Sequence, residues 1–164
     1  MTKSPDTANS ISKPYFISVI VLTIVFPVVS FVIEYLFYDA VLAFETFSKW
    51  FIFSAVGLRL FIAGIRQSTN PAFTAKAIFH IDSTDSFPIV RELGFANICF
   101  GLVGIISLFK SDWRMASAFG SGLYYAFAAL LHIIKKPASK NEQLALWSDL
   151  LICLLLAAYF VKVV

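Results

Sequence analysis

From Pro14 to Ile33 the chain runs twenty residues without a charge. A helix needs about 20 apolar residues to cross the hydrocarbon core of a bilayer. Four further runs of similar length follow, and the sequence divides into helices at about 15–37, 48–66, 88–109, 114–134 and 143–162. Composition agrees with this division. Hydrophobic residues make up 59% of the 164 positions and charged residues 14%, against roughly 45–50% and about 25% in an ordinary soluble domain. A soluble domain of this size has too much surface facing water to hide so much apolar side chain. The 18 Phe residues exclude a disordered chain. The expected fold class is all-α, an integral membrane bundle of five transmembrane helices with a short amphipathic surface helix. Residues 1–14 read as a flexible tail and 15–164 as one transmembrane domain.

The boundaries have local causes. Lys3 and Lys13 precede the first run, but the run is longer than a signal-peptide core and no A-x-A-like site follows it, so it reads as an uncleaved helix. Pro27, in mid-run, is expected to kink it. Glu45 and Lys49, four apart, are placed to pair where the second helix begins, and Trp50 stands where an interfacial aromatic belongs. Continuation of that helix back to Ala40 meets no helix breaker. Asn70-Pro71 is a helix start, with Asn as cap and proline at the first helical position. The ten residues from Pro71 to His80 are too short to span and read as a helix lying at the membrane surface. Pro88 opens the third long helix, and Lys135-Lys136-Pro137 ends the fourth. Cys99 and Cys153 lie inside apolar runs without a CxxC, so they read as small packing residues.

Basic residues set the expected orientation. Lys3, Lys13, Arg66, Lys76, Arg91, Lys135, Lys136 and Lys140 fall on one side, and Lys49, Lys110, Arg114 and Lys162 on the other. This excess predicts a cytoplasmic N-terminus and an external C-terminus in a bacterial inner membrane. Arg59 is left within the apolar layer.

An ionisable group inside a membrane costs roughly 2.5–3.5 kcal/mol on insertion scales, so each one calls for a partner or a purpose. With this orientation Arg59, Glu92, Asn97, His132 and Asp149 all fall in the cytoplasmic half, with Arg66 two turns below Arg59 on the same face; Glu34 is the exception. Arg59 is expected to be paired, because a guanidinium fork matches a carboxylate. Two readings stay open. The group is a ligand or proton site, or it is a set of ion pairs and helix-end charges that locks the bundle. Gly94, Asn97, Gly101 and Gly104 form one stripe on the third helix, suited to close backbone approach with Asn97 as an interhelical hydrogen-bonder. Ala118, Gly122 and Ala126 repeat the small-residue spacing on the fourth. Tyr124-Tyr125 calls for acceptors, by packing or by lining a cavity.

Much chemistry is not encoded. His132 stands alone and His80 is in a connection, so no paired histidines offer a bis-His haem site. No HExxH, GxSxG, P-loop or dinucleotide fingerprint occurs, and no metal set or nucleic-acid surface is read. One intramembrane arginine is not a voltage sensor, and no mid-membrane lysine offers a retinal Schiff base.

The stretch from Gly57 to Phe160 resembles the DoxX-like family of small bacterial membrane proteins, in a branch with an additional N-terminal helix. The carrying residues are Ala63-Gly64-Ile65-Arg66-Gln67, then Ala75 and Ala77, then Arg91-Glu92-Leu93-Gly94-Phe95-Ala96-Asn97 with Gly101 and Gly104, then Trp113-Arg114 and His132. The resemblance implies a four-helix core with both ends external, plus the first helix. Members have been linked to quinone-dependent oxidation of sulfur compounds and to membrane oxidoreductase complexes. Arg66, Glu92 and Asn97 carry over as positions, and a quinone is implied by the resemblance alone.

The function expected is that of an accessory, non-catalytic membrane protein. Its partners are the lipid bilayer and either a lipid-like or quinone-like small molecule or a partner membrane subunit. A membrane subunit of a quinone-linked oxidoreductase and a small proton-coupled transporter are the alternatives.

Overall fold

The computed structural model describes residues 11–38 and 44–163. Five helices in it are long and apolar enough to cross a membrane: α1 (Lys13–Phe37), α2 (Phe44–Thr69), α3 (Thr84–Phe109, opening with one 3-10 turn), α4 (Trp113–Lys135) and α5 (Lys140–Val163). No strand occurs among the described residues. Residues 1–10 of the expected tail and the stretch from Ala40 to Ala43 lie outside the described residues. Helix α1 begins at Lys13, with Pro14 in its first turn, where a missing N–H costs nothing.

Helix α2 is the central helix, and its Phe51, Ile52, Ala55 and Val56 are at most 2% exposed. They form the core with Ala118 and Tyr125 from α4 and Ile152, Leu156 and Tyr159 from α5. The outward faces stay apolar, with Val28, Val32, Ile33, Phe119, Leu130, Ile134, Leu151 and Leu154 exposed.

Two π-helical segments interrupt the regular helices, Val21–Val25 in α1 and Ile52–Leu58 in α2. Pro27 supplies the reason for the first. It has no N–H, and its ring excludes the normal bond to the residue four back. The expected kink therefore takes the form of a π turn just before the proline. The Phe26 N–H bonds to Val21 O, so the Leu22 carbonyl loses the donor that α geometry would give it. Ser54 Oγ donates to that carbonyl at 2.6 Å. The second segment repeats the arrangement. The Arg59 N–H bonds to Ser54 O and Val56 O, which frees the carbonyl of Ala55. The Tyr125 hydroxyl donates to it at 3.0 Å. Each π turn is thus satisfied by a hydroxyl from a neighbouring helix. Ser54→Ala is expected to cost about 1–3 kcal/mol, the penalty for an unsatisfied buried carbonyl. Thermal unfolding in detergent reads this out, and unchanged stability would mean that another donor serves Leu22.

Helices α2 and α3 meet backbone to backbone. A Cβ placed on Gly64 would sit 2.5 Å from Gly94 O, one on Gly101 2.5 Å from Phe61 N, and one on Gly104 2.6 Å from Gly57 N. The glycine stripe of α3 therefore faces α2, and Asn97, within that stripe, donates to Gln67 Oε1 at 2.7 Å. Gly122 differs from the stripe. Its nearest neighbour would be Leu156 Cβ at 3.6 Å, an ordinary contact, so it provides no close approach.

Three local expectations are corrected. Lys49 pairs with Glu34 of α1 instead of Glu45, and Trp50 Nε1 donates to the same carboxylate, because the packing of α1 against α2 places Glu34 opposite them. The segment after Asn70 is a helical turn ending in Thr74–Ile78, and it is not only a surface element. Thr74, Ala75 and Ile78 are buried against α3 and α5, while Lys76 faces out. The Asn70 side chain makes no cap bond among the described residues; the Ala75 N–H bonds to Pro71 O.

Candidate functional site

The buried face of that short helical turn forms one wall of a cavity of about 420 Å³ to which all five long helices contribute. Two π turns set which residues reach it. Arg59 follows the second π segment directly, and regular α-helix from Arg59 to Thr69 carries Arg66 onto the same face two turns on. Arg59, Arg66 and Gln67 enter the cavity from α2, Asn97 from α3, Tyr124, Tyr125 and His132 from α4, Asp149 from α5 and Tyr15 from α1.

Arg59 lies deep in the cavity. Its Nη2 is 3.2 Å from Asp149 Oδ1 and donates to Ser148 Oγ at 2.8 Å. The Ser148 hydroxyl in turn donates to Ala145 O. The guanidinium sits 5.5 Å from the centre of the Tyr125 ring, within cation–π range. One part of this arrangement is left unsatisfied. Arg59 Nη1 and Asn97 Oδ1 are buried without a hydrogen-bond partner among the described residues. A buried polar atom in that condition costs about 1–3 kcal/mol, unless something in the cavity completes it.

Arg66 is exposed at the edge of the cavity. Its guanidinium lies 4.1 Å from the centre of the Phe73 ring, and no carboxylate is within ion-pair distance among the described residues. Ile62, Phe127 and Leu131 also line the cavity while 48%, 66% and 45% exposed, so it opens to the exterior through an apolar rim.

Of the six polar residues singled out from the sequence, Arg59, Arg66, Asn97, His132 and Asp149 line this cavity. Glu92 does not. It is exposed on the first turns of α3, because the face of α3 that turns inward is the Gly94–Asn97–Gly101 stripe. Sequence reading missed Tyr15, Gln67 and Ser148, for which no local signal exists. It also missed Glu142, which is 4% exposed. The Glu142 carboxylate accepts the Ala138 N–H at 2.7 Å and lies 3.1 Å from His80 Nε2, while Ser139 Oγ accepts the Glu142 N–H. The spacing Ser139-x-x-Glu142 is the mark of a helix-capping box and was there to be read. His80 and Glu142 thus fasten the short helical turn to the start of α5. The Ser12 N–H donates to Asn141 Oδ1 at 3.0 Å, which ties the start of α1 to the same place. Among the described residues no three His, Cys, Asp or Glu side chains gather as a metal site, and both cysteines are free.

The fold and the cavity define a class: an all-helical bundle, among the described residues, with five candidate membrane spans and a polar-floored, apolar-rimmed cavity between them. The chain belongs to the family of unknown function DUF6790, which it matches over residues 13–163. That match adds no link to the DoxX-like group. No curated protein and no solved structure matches the chain.

Proposed function

We propose that this is a multi-pass protein of the bacterial cytoplasmic membrane that holds a lipid-soluble amphiphilic molecule in the α1–α5 cavity, acting as a binding or accessory protein rather than as a catalyst. The observation that carries this reading is the pair of buried atoms without a hydrogen-bond partner among the described residues, Arg59 Nη1 and Asn97 Oδ1, in a cavity that opens through apolar side chains. Its volume of about 420 Å³ falls within the range of roughly 300–1,000 Å³ usual for small-molecule sites. A rim of Ile62, Phe127 and Leu131 suits entry from the hydrocarbon layer better than entry from water. A quinone-like ring is one occupant of this kind, on the DoxX-like resemblance alone. A partner membrane subunit is the other way the apolar rim would be covered.

The exposed apolar faces of all five helices support insertion, because a soluble protein rarely leaves so much contiguous apolar surface in water. The cavity end carries Arg66, Lys135 and Lys140, from the more basic side, which supports its being cytoplasmic. By the same argument the Glu34–Lys49 pair and the C-terminus lie on the external side.

Protein purified in mild detergent is expected to retain a lipid or isoprenoid, identified by mass spectrometry of an organic extract. Ala63, on the cavity wall, offers the test. Ala63→Trp fills the space and is expected to abolish retention while the protein remains folded by circular dichroism. Full retention in the filled variant would overturn the assignment of this cavity.

A further inference from the structure

The charges around the cavity specify its occupant further. Two guanidiniums and one carboxylate line it, and they are not equivalent. Arg59 has its counter-charge in Asp149, at 3.2 Å, and its buried Nη1 has no hydrogen-bond partner among the described residues. A neutral acceptor completes it. A second anion there would sit beside the Asp149 carboxylate, and burying that repulsion is unfavourable. Arg66 has no carboxylate within ion-pair distance among the described residues, and its guanidinium is held over Phe73 at the cavity edge. An anion completes it, and a guanidinium presents paired N–H donors to the oxygens of a carboxylate or phosphate. The two positions are seven residues apart on regular helix, which separates them by about 10 Å along the axis. The apolar rim leads away between Ile62 and Phe127.

The geometry points to an acidic lipid as the occupant. Its single acidic group binds Arg66 at the edge, a neutral oxygen deeper in the cavity, such as an ester carbonyl, accepts from Arg59 Nη1, and its acyl chains leave through the Ile62–Phe127 rim. This rests on the reading of the cavity as an amphiphile site and adds to it the charge and order of the ligand's parts.

The test uses the full chain in detergent, delipidated, with binding read by native mass spectrometry. The probes are dioleoyl phosphatidic acid, its neutral counterpart dioleoylglycerol, and inorganic phosphate. Phosphatidic acid is expected to bind about tenfold more tightly than dioleoylglycerol, the size of one charge-assisted contact. Arg66→Gln is expected to bring the two lipids to equal affinity, and Arg66→Lys to retain part of the preference. Arg66 is exposed, so these variants are expected to fold as the parent does. Equal binding of the two lipids by the parent protein would overturn the acidic group and leave the cavity reading standing. So would an unchanged preference in Arg66→Gln. Binding of neither lipid would overturn both. Millimolar inorganic phosphate displacing phosphatidic acid would overturn the lipid as the source of the anion.

Discussion

Asp149→Ala is expected to lower stability by about 3–5 kcal/mol, because it leaves the Arg59 guanidinium buried without its counter-charge. The side chains of Arg59 and Asp149 are 12% and 10% exposed, and the other groups around Arg59 include the Ser148 hydroxyl, the Tyr125 ring and the Tyr15 phenol. These are dipolar partners and do not neutralise a full charge. Asp149→Asn keeps an acceptor and is expected to cost less than Asp149→Ala. The double variant Arg59→Met/Asp149→Leu is expected to recover most of the loss, since replacing both members of a buried pair with apolar groups is often neutral or stabilising. Thermal unfolding of the three variants and the parent in one detergent makes the comparison, and the single variants Arg59→Met and Asp149→Leu complete the double-mutant cycle that gives the coupling. A double variant as unstable as Asp149→Ala would show that Arg59 holds the bundle through something other than its charge partner. The same proteins separate stability from binding. The recovered double variant lacks the Nη1 donor and is expected to have lost its lipid.

The second large effect lies between α2 and α3. Gly101→Ala places a methyl 2.5 Å from the Phe61 backbone N, and Gly64→Ala places one 2.5 Å from Gly94 O. Both neighbours are main chain, so no rotamer change relieves the clash and the helices must move apart. Overpacking of a close-packed contact costs about 1–3 kcal/mol and occasionally more. Here separation would also strain the Asn97–Gln67 hydrogen bond. Gly122→Ala is the control. Its new methyl would stand 3.6 Å from Leu156 Cβ, and alanine is favoured over glycine in a helix by about 1 kcal/mol. It is therefore expected to be neutral or stabilising. Melting temperatures of the three single variants decide the matter. Equal losses in all three would show that small-residue spacing on any helix acts alike, contrary to the contacts described.

The contrast between these glycines shows where sequence reading stops. Gly94, Gly101, Gly104 and Gly122 all sit in small-residue patterns, and nothing in the spacing separates the last from the others. What separates them is whether the facing element brings backbone or side chain to that spot. Glu34 gives the same lesson. Lys49 had a partner four residues away in Glu45, but the helix α1 carboxylate reaches it, and Trp50 as well. Local spacing describes which pairs are possible within one helix and is silent on competition from the next.

Run length and composition alone gave the five candidate spans, their approximate limits, and the place of each polar residue along its span. Apolar run length, prolines at helix starts and basic residues at helix ends are local properties, and position along a span follows from counting 1.5 Å per residue. Rotation about each helix axis was decided only by the tertiary structure. Glu92 and Asn97 lie five residues apart in the first turns of α3, yet one faces out and the other enters the cavity. Each π turn adds a residue to a turn of helix and rotates everything beyond it, so a strict 3.6-residue count carried from Trp50 to Arg59 goes wrong. The first turn answers to Pro27, and both hold because Ser54 and Tyr125 supply hydroxyls from other helices. Those donors are distant in sequence, as are His80 and Glu142. Whether five polar residues in one half of the bundle meet around a cavity therefore depends on five rotations fixed by packing.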